Sequence, residues 1–208
     1  MKFYCFYTQS YEHWMHRCVD SFAPWLPVIP ILMNDLQDWD YNCLFRAKYL
    51  YQHMLEDNEP VMLLDSDLKC LREPTAILTY AHIAADHAKR CLPPFWDVIV
   101  HDRGPLEHAN TRYCAGIVGF NHTGQGKATL AAWTSNNKHH SLGPCAKLPE
   151  QSYLKDAIDE VRPKLENLGV KYNYVVPFNI PADYQIPSDT VIVHGDTSGP
   201  AHRGTRFK

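Results

Sequence analysis

Val61-Met62-Leu63-Leu64-Asp65-Ser66-Asp67 is an uncharged run that stops on two carboxylates spaced i, i+2. In an extended chain successive side chains alternate, so Asp65 and Asp67 project to the same side. Two like charges aimed at one spot repel unless a positive group lies between them. A hard divalent cation suits that place, because it prefers oxygen ligands and keeps positions open for phosphate oxygens. The spacing alone is a weak signal, since about one such pair is expected by chance in this composition. Asp38-Trp39-Asp40 has the same spacing, but it follows Leu36-Gln37 in a polar connection and reads as a solvated turn. Asp65 and Asp67 instead terminate a strand whose apolar character places it in the middle of a sheet.

Strand and helix alternate on either side of that strand. Phe3–Tyr7 reads as a buried strand, and Ser10 as the cap of a helix running to about Phe22. Pro24 and Pro27 end the helix, and Val28–Met33 follows as a second apolar run. Residues 42–57 place Leu44, Phe45, Tyr49, Leu50 and Leu55 at helical intervals before the strand at 61–64. This order predicts an α/β fold with a parallel sheet and right-handed crossovers. Sheets of that kind bind ligands beyond the carboxyl ends of their strands, where Asp65 and Asp67 lie. Further along, the pattern predicts helices over 74–88, 127–133 and 149–161 and strands at 97–100, 115–121, 171–176 and 190–194. The Gly- and Pro-bearing stretch 136–149 reads as a loop.

The chain has 208 residues, 45% hydrophobic and 21% charged, which suits one large domain with a sizeable core. A formal charge of −3 and the lack of any basic run give no electrostatic reason to expect nucleic acid. The plentiful aromatics, 12 Tyr and 5 Trp, read chiefly as core. Seven cysteines without CxxC spacing argue against a disulfide framework or a zinc site, and for a reducing compartment. Met1–Tyr7 is too short an apolar stretch for a signal peptide or membrane span and reads as a strand. The expected setting is soluble and cytoplasmic, in a bacterial or viral context. The neighbours Asp86 and His87, His101 and Asp102, and His139 and His140 show no ligand spacing and read as surface.

With Lys48 on the preceding helix, the run Val61–Asp67 resembles the DxD motif of GT-A nucleotide-sugar glycosyltransferases. Three further stretches agree in order and approximate spacing. Cys114-Ala115-Gly116-Ile117-Val118-Gly119-Phe120-Asn121 is similar to the strand that lines the sugar pocket. Glu150-Gln151 at a helix start resembles the acidic-Gln pair facing the sugar. Val191-Ile192-Val193-His194-Gly195 is similar to the late strand whose terminal His completes the metal shell. The Lys-Pro-Trp that usually follows that His is replaced by Gly199-Pro200-Ala201-His202-Arg203.

The resemblance implies a GT-A-like (Rossmann-like) α/β fold with a mixed, mainly parallel central sheet flanked by helices. It implies a single domain, with a nucleotide-sugar-binding half over about 1–105 and an acceptor and catalytic half over about 106–208. Asp65, Asp67 and His194 would hold Mn²⁺ or Mg²⁺ against the donor diphosphate, with Ser66 and Gly195 beside them. Carboxylate, imidazole and phosphate oxygens together suit Mn²⁺ better than Ca²⁺. Arg46 or Lys48 would face the diphosphate or the acids, with Lys48 preferred. Thr8, Gln9 and Tyr11 would meet the nucleotide base, and Asp35 the base or ribose. Gly116 would leave room for the sugar, and Glu150 would serve the reacting carbon, with Gln151 beside it.

The implied reaction moves a hexose or deoxyhexose from a UDP-sugar to a hydroxyl of a glycan or glycoprotein, with retention of configuration. Two rivals share parts of the pattern. A haloacid-dehalogenase-like Mg²⁺ phosphohydrolase also ends an apolar strand on Asp-x-Asp, but Leu68-Lys69 replaces its Gly-Thr, and its nucleophile belongs on the first strand. A non-catalytic nucleotide- or carbohydrate-binding module would share the fold and lack only turnover.

Overall fold

The computed structural model describes residues 1–36, 39–90, 95–104, 112–135, 149–176 and 185–195. A six-stranded sheet runs through it, built from β1 (Lys2–Tyr7), β2 (Val28–Leu32), β3 (Val61–Leu64), β5 (Val98–Asp102), β6 (Tyr113–Phe120) and β7 (Leu165–Asn167). Its spatial order is β2-β1-β3-β6-β5-β7. β1 pairs parallel with both β2 and β3, β6 is antiparallel to β3 and β5, and β7 is parallel to β5. All strands but β6 therefore point one way, and the sheet is mixed and mainly parallel. A second sheet, ordered β4-β9-β8, joins β4 (Leu68–Cys70), β9 (Ile192–His194) and β8 (Tyr174–Val175).

The central strands are buried on both faces, which is why they read as unbroken apolar runs. Their two-residue period sorts them into two cores. On one face Tyr4, Phe6, Leu63, Val118 and Phe120 meet Leu44, Leu50 and Met54 of α2 (Trp39–Asp57), Leu130 and Trp133 of α4 (Gly124–Ser135), and Leu154 and Ile158 of α5 (Pro149–Val161). On the other, Phe3, Cys5, Met62, Leu64 and Ile117 meet Met15, Cys18 and Phe22 of α1 (Glu12–Phe22), Ile77 and Ala84 of α3 (Thr75–Arg90), and Leu68 and Ile192 of the second sheet. The spacing of Met15, Cys18 and Phe22 is that of one helical face. Asn58, at φ 55°, closes α2 with its N–H on the Met54 carbonyl. That left-handed residue is the ordinary way to stop a helix before a strand.

Several local expectations give way. Ser10 does not cap α1. A short 3₁₀ turn, Gln9–Tyr11, precedes the helix, and Ser10 Oγ lies 3.0 Å from Thr8 Oγ1 instead. Trp39 and Asp40 open α2 and are no turn, and Asp38 lies outside the described residues. The run over 171–176 shrinks to a 3₁₀ turn, Val170–Tyr172, and the two-residue β8. β4 and β7 were not foreseen, because three-residue strands carry too few positions to show a period. The expected loop over 136–149 lies outside the described residues apart from Pro149, which begins α5.

Asp97 fastens the start of β5 from within the core. Its carboxylate accepts from Thr123 Oγ1 at 2.6 Å and from the Lys164 N–H at 2.9 Å. The first turn of α4 is thereby drawn tight against the end of β6. A Cβ at Gly126 would sit 2.2 Å from the Asn121 carbonyl oxygen and 3.0 Å from that of Asp97. Backbone atoms cannot swing away as a side chain can, so Gly126→Ala is expected to cost about 1–3 kcal/mol through overpacking. Urea denaturation of the two proteins checks this, and equal midpoints would contradict it.

Candidate functional site

The carboxyl ends of β1, β2 and β3 open into a cleft lined by Phe6, Tyr7, Thr8, Tyr11, Met33, Asn42, Cys43, Arg46, Asp65, Ser66 and Asp67. The chain leaves β3 at Leu64, and the Asp65 N–H donates to the Gly116 carbonyl at 2.9 Å, prolonging the β3–β6 ladder by one step. It then enters β4, whose antiparallel register sets Leu68 opposite His194. The Gly195 N–H donates to the Asp67 carbonyl at 3.2 Å, with Gly195 in the left-handed region at φ 78°. Two ladders thus bring the end of β9 onto the acid pair, although the two segments stand far apart in the chain.

The result is a compact set of ligand atoms. His194 Nε2 lies 3.2 Å from Asp65 Oδ2 and 3.4 Å from Asp67 Oδ1. Asp65, Asp67 and His194 each offer one donor atom within 4.8 Å of the others. Arg46, on α2, reaches the same place: its guanidinium pairs with Asp65 Oδ1 and, at 2.5 Å, with Glu150 Oε2. Burial works against the charge on Arg46, but Glu150, Cys43 and Asp67 together outweigh it, so its pKa is raised. Asp65 and Glu150, both buried, thus share the Arg46 guanidinium, and a third buried carboxylate, Asp67, lies beside His194. Such an excess of buried negative charge is costly unless a proton or a metal ion balances it.

In the metal-free protein His194 supplies part of that balance. Burial favours the neutral ring, but the Asp67 carboxylate and the Cys114 sulfur together outweigh it and lift the imidazole pKa to about 10. Beside it, burial pushes the Cys114 thiol up while His194 pulls it down, with a net fall to about 7. Two carboxylates and an imidazole form a donor set that fits a divalent cation of the Mn²⁺ or Mg²⁺ kind.

Gly116 lies directly against the His194 ring. A Cβ there would lie 2.2 Å from Cε1 and 2.5 Å from Nδ1 of His194. The glycine thus makes room for the His194 imidazole. Arg46, not Lys48, enters the site: Lys48 is exposed, with Nζ over the Phe45 ring at 5.4 Å. Side chains at positions 46 and 48 are about 200° apart around a helix, so only one can face the sheet. Gln9 is exposed, pairs with Glu12 at 2.6 Å and does not line the cleft, whereas Thr8 and Tyr11 do. Asp35 is exposed and accepts from Nδ2 of the cleft residue Asn42 at 2.9 Å.

Glu150 is buried, and its carbonyl accepts from Trp133 Nε1 at 3.0 Å. Gln151 is buried with Oε1 3.3 Å from the Arg103 guanidinium. His101, read from sequence as surface, is buried on β5, and Asp102 forms a two-pronged pair with Arg112 at 2.9 and 2.7 Å. Gly199–Arg203 lies outside the described residues. Asn42, Cys43, Cys114 and Asn173 take part in the site or support it and were not foreseen. Helical spacing from Arg46 points to Asn42 and Cys43, while only the tertiary structure brings Cys114 and Asn173 to His194.

No family model and no curated protein sequence matches the chain. Solved structures do match in fold. A glycosyltransferase involved in the glycosylation of the major capsid of PBCV-1 superposes with TM-score 0.62 at 12% identity, covering 99% of this chain and 98% of that one. Mouse xyloside xylosyltransferase 1 does so with TM-score 0.55 at 11% identity, covering 94% and 97%. The glycosyltransferase GlyE of Streptococcus pneumoniae TIGR4 gives TM-score 0.56 at 14% identity. In that case 95% of this chain spans 55% of the longer protein. The chain therefore has the GT-A fold, with a DxD-like acid pair and a late histidine gathered at one edge of its main sheet.

Gly116→Ala is expected to displace the His194 ring and lower Mn²⁺ affinity about 10–100-fold, the range seen when the support of a ligand histidine is lost. Gly119→Ala is the control on the same strand: its Cβ would meet Met62 Cε at 2.8 Å and lies away from His194. Calorimetry with Mn²⁺ should show weak binding in the first variant only. Equal affinities would show that His194 does not depend on the space at Gly116.

Proposed function

We propose that the chain is a metal-dependent glycosyltransferase that moves a hexose or deoxyhexose from a UDP-sugar to a hydroxyl on a glycan or glycoprotein. The observation that carries this reading is the gathering of Asp65, Asp67 and His194 beside Arg46 at the mouth of the cleft. The same fold occurs in solved glycosyltransferases. In the sequence's own terms, residues 1–105 would bind the nucleotide sugar, and the later half would supply the acceptor side and Glu150.

In glycosyl transfer negative charge grows on the departing diphosphate. A cation held by Asp65, Asp67 and His194 would stabilise it as a Lewis acid. Arg46 lies between those acids and Glu150, so its guanidinium both neutralises the site and fixes the position of Glu150. Oε2 of Glu150 is committed to Arg46 at 2.5 Å, which favours a role in holding the sugar or steadying positive charge at the anomeric carbon over one as proton acceptor. Thr8, Tyr11, Asn42 and Ser66 line the part of the cleft open to a nucleoside. An acid pair on the third strand, flanked by an antiparallel neighbour, favours this reading over a phosphohydrolase with its nucleophile on the first strand.

With Mn²⁺ present, the wild type should release UDP from a UDP-sugar, and Asp65→Ala or Asp67→Ala should lower kcat/KM about a hundredfold or more. Absence of turnover across a panel of nucleotide sugars, together with brisk release of phosphate from para-nitrophenyl phosphate, would point to the phosphohydrolase. Because His194 is protonated without metal and must be neutral to ligate, Mn²⁺ binding should release close to one proton, roughly, near neutral pH. Affinity for Mn²⁺ should accordingly rise with pH up to the raised pKa of about 10. Calorimetry in buffers of differing ionisation enthalpy measures that proton directly.

A further inference from the structure

We propose that Asn173 is a positioning residue that fixes which nitrogen of His194 carries the proton, so that the other presents its lone pair to the acid pair. The proposal rests on the metal-site reading above. Asn173 is fully buried, and its Oδ1 lies 3.0 Å from His194 Nδ1. On the opposite side of the ring, Nε2 faces Asp65 at 3.2 Å and Asp67 at 3.4 Å.

A neutral imidazole has one N–H and one lone pair. An amide oxygen can only accept, so the contact with Asn173 places the N–H on Nδ1 and leaves Nε2 free to ligate. The acid pair by itself would draw the proton the other way, because an N–H on Nε2 donates to two carboxylates. Asn173 opposes that bias by offering a buried acceptor that would otherwise lose its partner, which costs about 1–3 kcal/mol. Cys114 Sγ is the competing neighbour at Nδ1, but at 3.8 Å it is a weak one.

The backbone holds Asn173 in this place independently of the ring. Gly169, at φ 73°, starts the 3₁₀ turn, and the Asn173 N–H closes it on the Val170 carbonyl at 3.1 Å. The Val191 N–H donates to the Lys171 carbonyl at 2.8 Å, and the Val176 N–H donates to the His194 carbonyl at 3.1 Å. Tyr174 pairs with Val193 and Val175 with His194. The segment is therefore docked on β9 by main-chain bonds before and after Asn173, and the amide arrives opposite the imidazole without needing it.

The test is Mn²⁺ titration calorimetry on the full chain, with no nucleotide or sugar present. Asn173→Leu removes the acceptor at similar volume and should weaken Mn²⁺ binding about 10–100-fold. Asn173→Asp keeps an acceptor and should bind Mn²⁺ at least as well as the wild type. Equal binding by Asn173→Leu and the wild type, while Asp67→Ala binds weakly, would overturn the assignment.

Nitrogen-15 NMR of the His194 ring in the Zn²⁺-loaded wild type reads the same point without any variant. A protonated Nδ1 is expected, and a bare Nδ1 would refute the role of Asn173 even if Asn173→Leu did not fold. If the wild type binds no divalent ion, the metal reading and this proposal fall together. If Asn173→Leu loses Mn²⁺ but no nucleotide sugar is ever turned over, the positioning role stands and only the proposed reaction fails.

Discussion

Buried carboxylates gathered about the Arg46 guanidinium and the His194 ring are the electrostatic constraint that this part of the fold is built to contain. Asp65 and Glu150 belong to different halves of the chain, and Arg46 pairs with both. Removing one member of such a cluster leaves its partners charged and dry, which is far worse than never having buried them. Asp65 and Asp67 line a cleft, where their charge can be met from outside. His194, whose imidazole pKa is raised beside Asp67 and Cys114, contributes to that balance.

The sheet geometry explains how so much charge is held in register. β3 delivers Asp65 from the centre of the sheet, and β6, running the opposite way, presents Gly116 alongside it. The chain then passes into a second sheet, where β4 and β9 lie antiparallel and set His194 over the acids. Gly116 and Asn173 fill complementary roles against the same ring: one supplies the space and the other the hydrogen-bond acceptor. Trp133, in the core under α4, ties down the Glu150 carbonyl, so the packing of one face reaches the first turn of α5.

Much of this was readable in advance where local chemistry is decisive. An apolar run ending in Asp-Ser-Asp identifies both a buried strand and the charge at its tip, because strand period and burial act over a few residues. A late apolar strand ending in His-Gly is visible for the same reason. The choice between Arg46 and Lys48 was not, since the amphipathic face of α2 is blurred by aromatic residues on several sides. The capping role expected of Ser10 failed because a 3₁₀ turn could satisfy the same backbone groups. That Gly116 makes room for His194 was not legible, because the two are far apart in sequence and close only after folding.

By itself, then, the amino-acid order determined the α/β class, the mainly parallel sheet and the acid pair at its carboxyl edge, all of which follow from periodicity within single elements. The tertiary structure alone decided which cation meets those acids, why position 116 has no side chain, and that Asn173 lies behind the histidine. Each of these depends on pairings between segments remote in sequence. Hydrogen-bond register between such segments is set by the whole packed sheet, and no short stretch of residues encodes it.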